Sequence, residues 1–270
     1  MNDQEIVDDL AAVWSSLGRL CASLSAAAWD TPTECPGWSV KDMIAHIAGT
    51  EAMLLGRRPP DHRPPRAGQL PNAVAEFNEV EVDYRRPWPP SRVLEDFLEI
   101  TAARLAMLRA MDDASFSRPS PSPIGTVPYR DFMRLRVFDC WVHEQDIRRA
   151  LGLPCTMAGH LAQQAVARMA AAMPYVVGKR VTPPDGTTVV FMVTGDAGST
   201  FPLEMAGSRA RPLVTAPDNP TVRLEMDPEA FICLTCGRGD SWALVAAGRI
   251  RIQGDEALGR QIIQQANVMI

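Results

Sequence analysis

The stretch RVFDCWVHEQDIRRA, Arg136 to Ala150, decides how this chain is read. Large apolar residues flank a cluster of charges: Val137, Phe138, Trp141, Val142 and Ile147 surround Asp139, His143, Glu144 and Asp146. The periodicity predicts a helix over about 129–151. Charges on such a helix normally face water, yet here some must turn toward the packed side. Asp139 and His143 are four apart, so they project from one face, roughly 6 Å apart along the axis. A carboxylate and an imidazole so placed are ligands for a divalent metal, and they are equally a plain helical ion pair. Asp146, three residues further on, lies near the same side and can hydrogen-bond the second imidazole nitrogen of His143. Glu144 is turned about 100° away.

A metal centre needs a third protein ligand, and the chain has four histidines. His62 sits in a proline-rich segment, and His160 opens a later helix. His46 lies among Met43, Ile44 and Ile47 and is the one that faces a core. His46, Asp139 and His143 would leave one position open for water or substrate, the mark of a catalytic rather than a structural site.

Working outward, the first half reads as helices: about 3–29, from Ser39 to Gly56 with Ser39 as cap, about 71–86, about 91–112, then the helix already described. The segments 57–71 and 115–128 are rich in proline and read as loops. Several long helices joined by loops predict an antiparallel bundle ending near Pro154. The second half changes character. A helix over about 158–173 leads into strand-like runs at 187–193, 200–205 and 221–226. A helix capped by Asp227 and closed by Gly237 follows, then a strand at 248–254 and a final helix at 255–269. We therefore expect two domains, a helical 1–154 and an α+β 155–270.

Composition narrows the function. With a net charge of −5 and no long basic run, a nucleic-acid or anionic-membrane surface is not expected. No apolar stretch is long enough for a bilayer, and the acidic first residues do not resemble a secretory signal, so a cytoplasmic location is expected. The six cysteines are scattered and read as free thiols; Cys233 and Cys236 form a lone C-x-x-C that reads as core packing.

Two segments, ECPGWSVKDMIAHIAG (34–49) and RVFDCWVHEQDIRRALG (136–152), together resemble the mycothiol-dependent maleylpyruvate isomerase family. PTVRLEMDPEAFICLTCGR (220–238) and GRIRIQGDEALG (248–259) resemble the C-terminal domain of the same family. The resemblance implies a DinB-like helical bundle followed by a small sterol-carrier-like α+β domain. It implies a metal held by His46, Asp139 and His143, zinc being the expected ion, with mycothiol as co-substrate. It also implies an arginine of the C-terminal domain that holds an acidic substrate; Arg238, Arg249 and Arg251 are the candidates, of which at most one serves. The characterised isomerase type carries Glu where this chain has Asp139. One methylene less changes the reach by more than the roughly 0.2 Å tolerance of a metal bond.

The expectation is a metalloenzyme that activates a low-molecular-weight thiol against a small electrophile, by isomerisation or S-transfer. The alternatives are a small-molecule or lipid-binding module with a vestigial metal site, and a partner-binding protein acting through the bundle surface. Oligomeric state is not readable.

Overall fold

The computed structural model describes residues 2–65 and 67–269. The chain divides into two compact units, Met1–Pro154 and Cys155–Ile270.

The first unit is built on helices α1 (Asp3–Ala22), α2 (Val40–Leu54), α3 (Ala73–Arg85), α4 (Pro90–Arg109), α5 (Asp113–Ser117) and α6 (Tyr129–Ala150). α1 packs on α4 and α6, and α2 packs on the same two, so these four helices close a ring. α3 lies against α2. Gly49 permits that approach, since a Cβ there would stand 2.5 Å from the Cβ of Glu81. The ring is filled by Ile6, Leu10, Leu17, Met43, Ile44, Ile47, Phe97 and Ile100, all fully buried. Each such side chain contributes about 1.5–3 kcal/mol.

Local signals set the helix starts. Asn2 and Ser39 each form a capping box, with Glu5 and Asp42 respectively. The predicted first helix is shorter than its pattern suggested: it stops at Ala22, and Ala26–Asp30 form a separate 3-10 turn. The segment 115–128 is not merely a loop, for Pro119–Ser122 (β1) and Gly125–Pro128 (β2) pair as an antiparallel hairpin. Its prolines hid it, because proline is tolerated only in edge strands and a two-stranded ribbon is all edge.

The segment TPTECPGWS is a tight connection. Trp38 N–H donates to the Cys35 carbonyl at 3.0 Å, and Gly37 has φ +81°. Pro36 and Gly37 thus occupy the central positions of a type II turn, where the second residue needs a positive φ.

The second unit holds a five-stranded sheet of order β5-β4-β3-β6-β7: β3 (Thr188–Val193), β4 (Ser199–Ala206), β5 (Arg209–Pro212), β6 (Val222–Met226) and β7 (Ile250–Gly254). β3 and β6 run parallel, and the other pairs are antiparallel. Central β3 buries Val189, Val190, Phe191 and Val193, so consecutive residues are covered on both faces. Its helices are α7 (Gly159–Ala170), α8 (Met173–Tyr175) running into a π-turn at Val176–Val181, α9 (Pro228–Cys236), α10 (Ser241–Ala246) and α11 (Glu256–Gln265). Asp227 caps α9 and Gly237 closes it in the left-handed region. α11 packs on β6 and β7, while α7 packs on α9. No helix among the described residues is long and apolar enough to cross a membrane.

Candidate metal centre

α6 carries Arg136, Asp139, His143, Asp146 and Arg149 at steps of three, four, three and three. Those steps keep all five on one stripe. α2 brings His46 to the same place. His46 Nε2 lies 3.3 Å from Asp139 Oδ2, and His143 Nε2 lies 3.6 Å from Asp139 Oδ1. The ligand atoms of His46, Asp139 and His143 all lie within 4.8 Å of one another. Both imidazoles are buried, while the Asp139 side chain is 20% exposed and opens the group to solvent.

Two reference spacings bear on these contacts. A charge-assisted hydrogen bond closes to about 2.7–2.9 Å. Donors about 2.0–2.1 Å from one tetrahedral ion stand about 3.3–3.4 Å apart. His46 Nε2 and Asp139 Oδ2, at 3.3 Å, make a long hydrogen bond, and His143 Nε2 stands 3.6 Å from the other oxygen; both distances are near the ligand spacing. The contacts just outside are shorter: Arg136 Nη1 donates to Asp139 Oδ2 at 2.6 Å, and His143 Nδ1 meets Asp146 Oδ2 at 3.0 Å. With Nδ1 held by Asp146, His143 turns Nε2 inward as a donor to an ion. Two imidazoles and a carboxylate form a borderline donor set suited to zinc and its neighbours. The residues present therefore fit a divalent ion. His46 Nδ1 is buried with no hydrogen-bond partner among the described residues.

Several participants were not singled out from sequence. Glu51 on α2 is fully buried and accepts from Arg136 Nε at 2.8 Å and from Arg104 Nε at 2.9 Å. Arg104 also donates to Tyr129 Oη at 3.0 Å. Cys35, in the type II turn, places Sγ 3.5 Å from Asp146 Oδ2. Glu34 beside it accepts from Arg149 Nε at 2.6 Å, and Arg149 in turn pairs with Asp146. The turn is thereby tied to the helix that carries His143. The half-buried Trp38 ring lies 5.2 Å from that of His46 and 6.5 Å from that of His143. Glu144 points elsewhere, accepting from Ser16 of α1 and from Arg148.

Charge follows geometry. Burial works against ionising Asp139, but Arg136, His143 and His46 outweigh it and hold the carboxyl well below its ordinary range. Burial lowers His46 below the ordinary histidine value, despite Asp139. Burial also opposes a charged His143, yet Asp139, Asp146 and Cys35 lift it from 6.5 to about 10. Burial pushes the Cys140 thiol up to about 12, which disfavours its thiolate at neutral pH.

Two opposite pH trends follow. Without metal, the raised value of His143 stabilises the fold fully below 6.5, and that contribution is lost as pH rises through about 10. The melting midpoint of the chelator-treated protein should fall by on the order of 5 °C between neutral pH and 10. A metal needs the neutral imidazole, so metal affinity should rise about tenfold per pH unit over that range. Melting curves and chelator competition across pH check both, and His143→Gln should flatten both.

In the second unit, Arg249 donates to Asp227 at 2.7 and 2.8 Å and to Glu229 at 3.1 Å, so its charge is already met by two carboxylates. Arg251 is largely exposed, 3.7 Å from Glu225. Arg238 is buried and donates to the Cys236 carbonyl at 2.8 Å.

A helical unit with an inward His–Asp–His cluster, followed by a small sheet-containing domain, defines the class of this protein. Residues 10–148 match the mycothiol maleylpyruvate isomerase N-terminal domain, and residues 163–261 match the MDMPI C-terminal domain. The chain belongs to the mycothiol-dependent maleylpyruvate isomerase family. Its fold is similar to a crystal structure of the mycothiol-dependent maleylpyruvate isomerase in a mutant form, at 17% identity and TM-score 0.61, covering 94% of this chain and 93% of that one. A second crystal structure of that isomerase matches at 18% identity and TM-score 0.57, covering 88% and 90%. Among curated proteins the sequence has no match.

Proposed function

We propose that this protein is a mycothiol-dependent isomerase of a small unsaturated acid of the maleylpyruvate type. His46, Asp139 and His143 would hold one divalent ion, zinc being the ion the donor set suits best. One observation carries the reading: ligand atoms of two buried histidines and one carboxylate all lie within 4.8 Å of one another, inside a shell of shorter hydrogen bonds. These residues would hold a metal with one position left open, and the chemistry it would supply there is to lower the pKa of the mycothiol thiol.

The chain's own groups do the rest. Asp146 fixes the tautomer of His143, and Arg149 with Glu34 fixes Asp146. Trp38 walls one side of the two imidazoles. The thiolate adds to the double bond and leaves an enolate, the resulting single bond rotates, and collapse of the enolate expels the thiolate and restores the double bond in its other configuration. S-transfer is the same addition followed by protonation of the enolate from water, so the same site would serve it. Of the three arginines, Arg249 is the least suited to holding a substrate carboxylate, because Asp227 and Glu229 already occupy it.

The test is metal content of the purified full-length protein by mass spectrometry, then isomerisation of maleylpyruvate with and without mycothiol. About one divalent ion per chain and thiol-dependent turnover are expected. Stable adduct without isomerisation would move the assignment to S-transfer. No metal, even after adding it back, would sink the mechanism and favour a binding module.

A further inference from the structure

Asp139 does not bring its full charge to the site. Arg136 Nη1 donates to Oδ2 at 2.6 Å from a side chain only 5% exposed. Arg136 is itself anchored through Nε to Glu51, which also receives Arg104. These four groups, Arg104, Glu51, Arg136 and Asp139, sum to zero charge. A divalent ion beside them, with two neutral imidazoles, would retain its double charge. With Asp139 alone it would carry one.

We infer that Arg136 is a positioning residue that ties down Oδ2 of Asp139 and cancels its charge, weakening the hold on the metal and strengthening the hold on an anionic ligand at the open position. The inference rests on the function proposed above. Both expected ligands, a thiolate and an unsaturated acid, are anions. Arg136 and both imidazoles are buried while Asp139 reaches solvent, so at this close range screening is partial and one unit of charge changes both affinities measurably. Arg136 is held from behind by Glu51, so its position does not depend on Asp139.

The test uses the full-length chain loaded with cobalt(II), comparing wild type, Arg136→Gln and Arg136→Lys. Cobalt affinity is read by competition with a chromophoric chelator. Mycothiol affinity is read from the thiolate-to-cobalt absorption. Arg136→Gln should bind cobalt on the order of tenfold more tightly and mycothiol on the order of tenfold more weakly. Arg136→Lys should stay near wild type in both. A residue that only supported the site would act the other way, since losing an outer-shell support lowers metal affinity by about 10–100-fold. That loss, or no change in either affinity, overturns the inference. If Arg136→Gln does not fold, Glu51→Gln adds one net positive charge and should give the opposite signs, weaker cobalt and tighter mycothiol; weaker cobalt without tighter mycothiol, or no shift, overturns it. Wild type that binds no cobalt brings down the proposed function as well. Wild type that binds cobalt and thiol, with indifferent variants, brings down only the role of Arg136.

Discussion

Replacing His143 with alanine should abolish stoichiometric metal retention and lower thiol-dependent turnover by more than about 100-fold. That figure is the upper end of what changes outside the ligand shell cost, and His143 is proposed to be inside it. His143 joins two parts of the site. Its Nε2 faces Asp139, and its Nδ1 meets Asp146, a fully buried carboxylate. Without it, two candidate donors remain, and Asp146 loses one of its partners. Mass spectrometry of the metal, a thiol-dependence assay and circular dichroism on the same preparation separate the outcomes. Retained metal with retained activity would remove His143 from the site. A folded, metal-free, inactive variant is the expected result.

Glu51→Ala should strongly destabilise the helical unit. Glu51 is fully buried between Arg104, also fully buried, and Arg136, 5% exposed. Removing one partner of a buried ion pair costs about 3–5 kcal/mol, because the remaining charge is left in a poorly solvated place. Here two guanidinium groups lose that partner. Arg136 keeps Asp139, and among the described residues Arg104 keeps the Tyr129 hydroxyl and two methionine sulfurs. Glu51→Gln, which retains an acceptor, should lose roughly half as much. Denaturant titration on both variants measures the difference. A loss below about 1 kcal/mol for Glu51→Ala would mean that water reaches the guanidinium groups.

Neither Glu51 nor Arg104 stood out in the sequence, although a signal was present. On α4 the buried stripe Phe97, Ile100, Arg104, Leu108 advances by three, four and four, so Arg104 sits where an apolar residue belongs. On α2 the stripe Val40, Met43, Ile44, Ile47 continues to Glu51. An opposite charge at a core position of each of two helices is a pairing signal, but each looks like a solvated charge while its helix is read alone.

The sequence by itself determined what depends on near neighbours. Periodicity and caps determined the long helices and four strands of the second half, because those interactions span a few residues, but not the short edge strand β5. The steps of four and three along α6 put Asp139, His143 and Asp146 on one stripe, because helical geometry is local. Tertiary structure alone decided what that stripe meets. His46 and Asp139 are 93 residues apart, and Arg136 and Glu51 are 85 apart. Only packing of α2 against α6 makes them neighbours. Whether Asp139 faces a metal, an arginine or both depends on contacts a few ångströms long between distant parts of the chain. A hydrogen bond differs from a ligand spacing there by less than 1 Å, a distinction that exists only once the helices have packed.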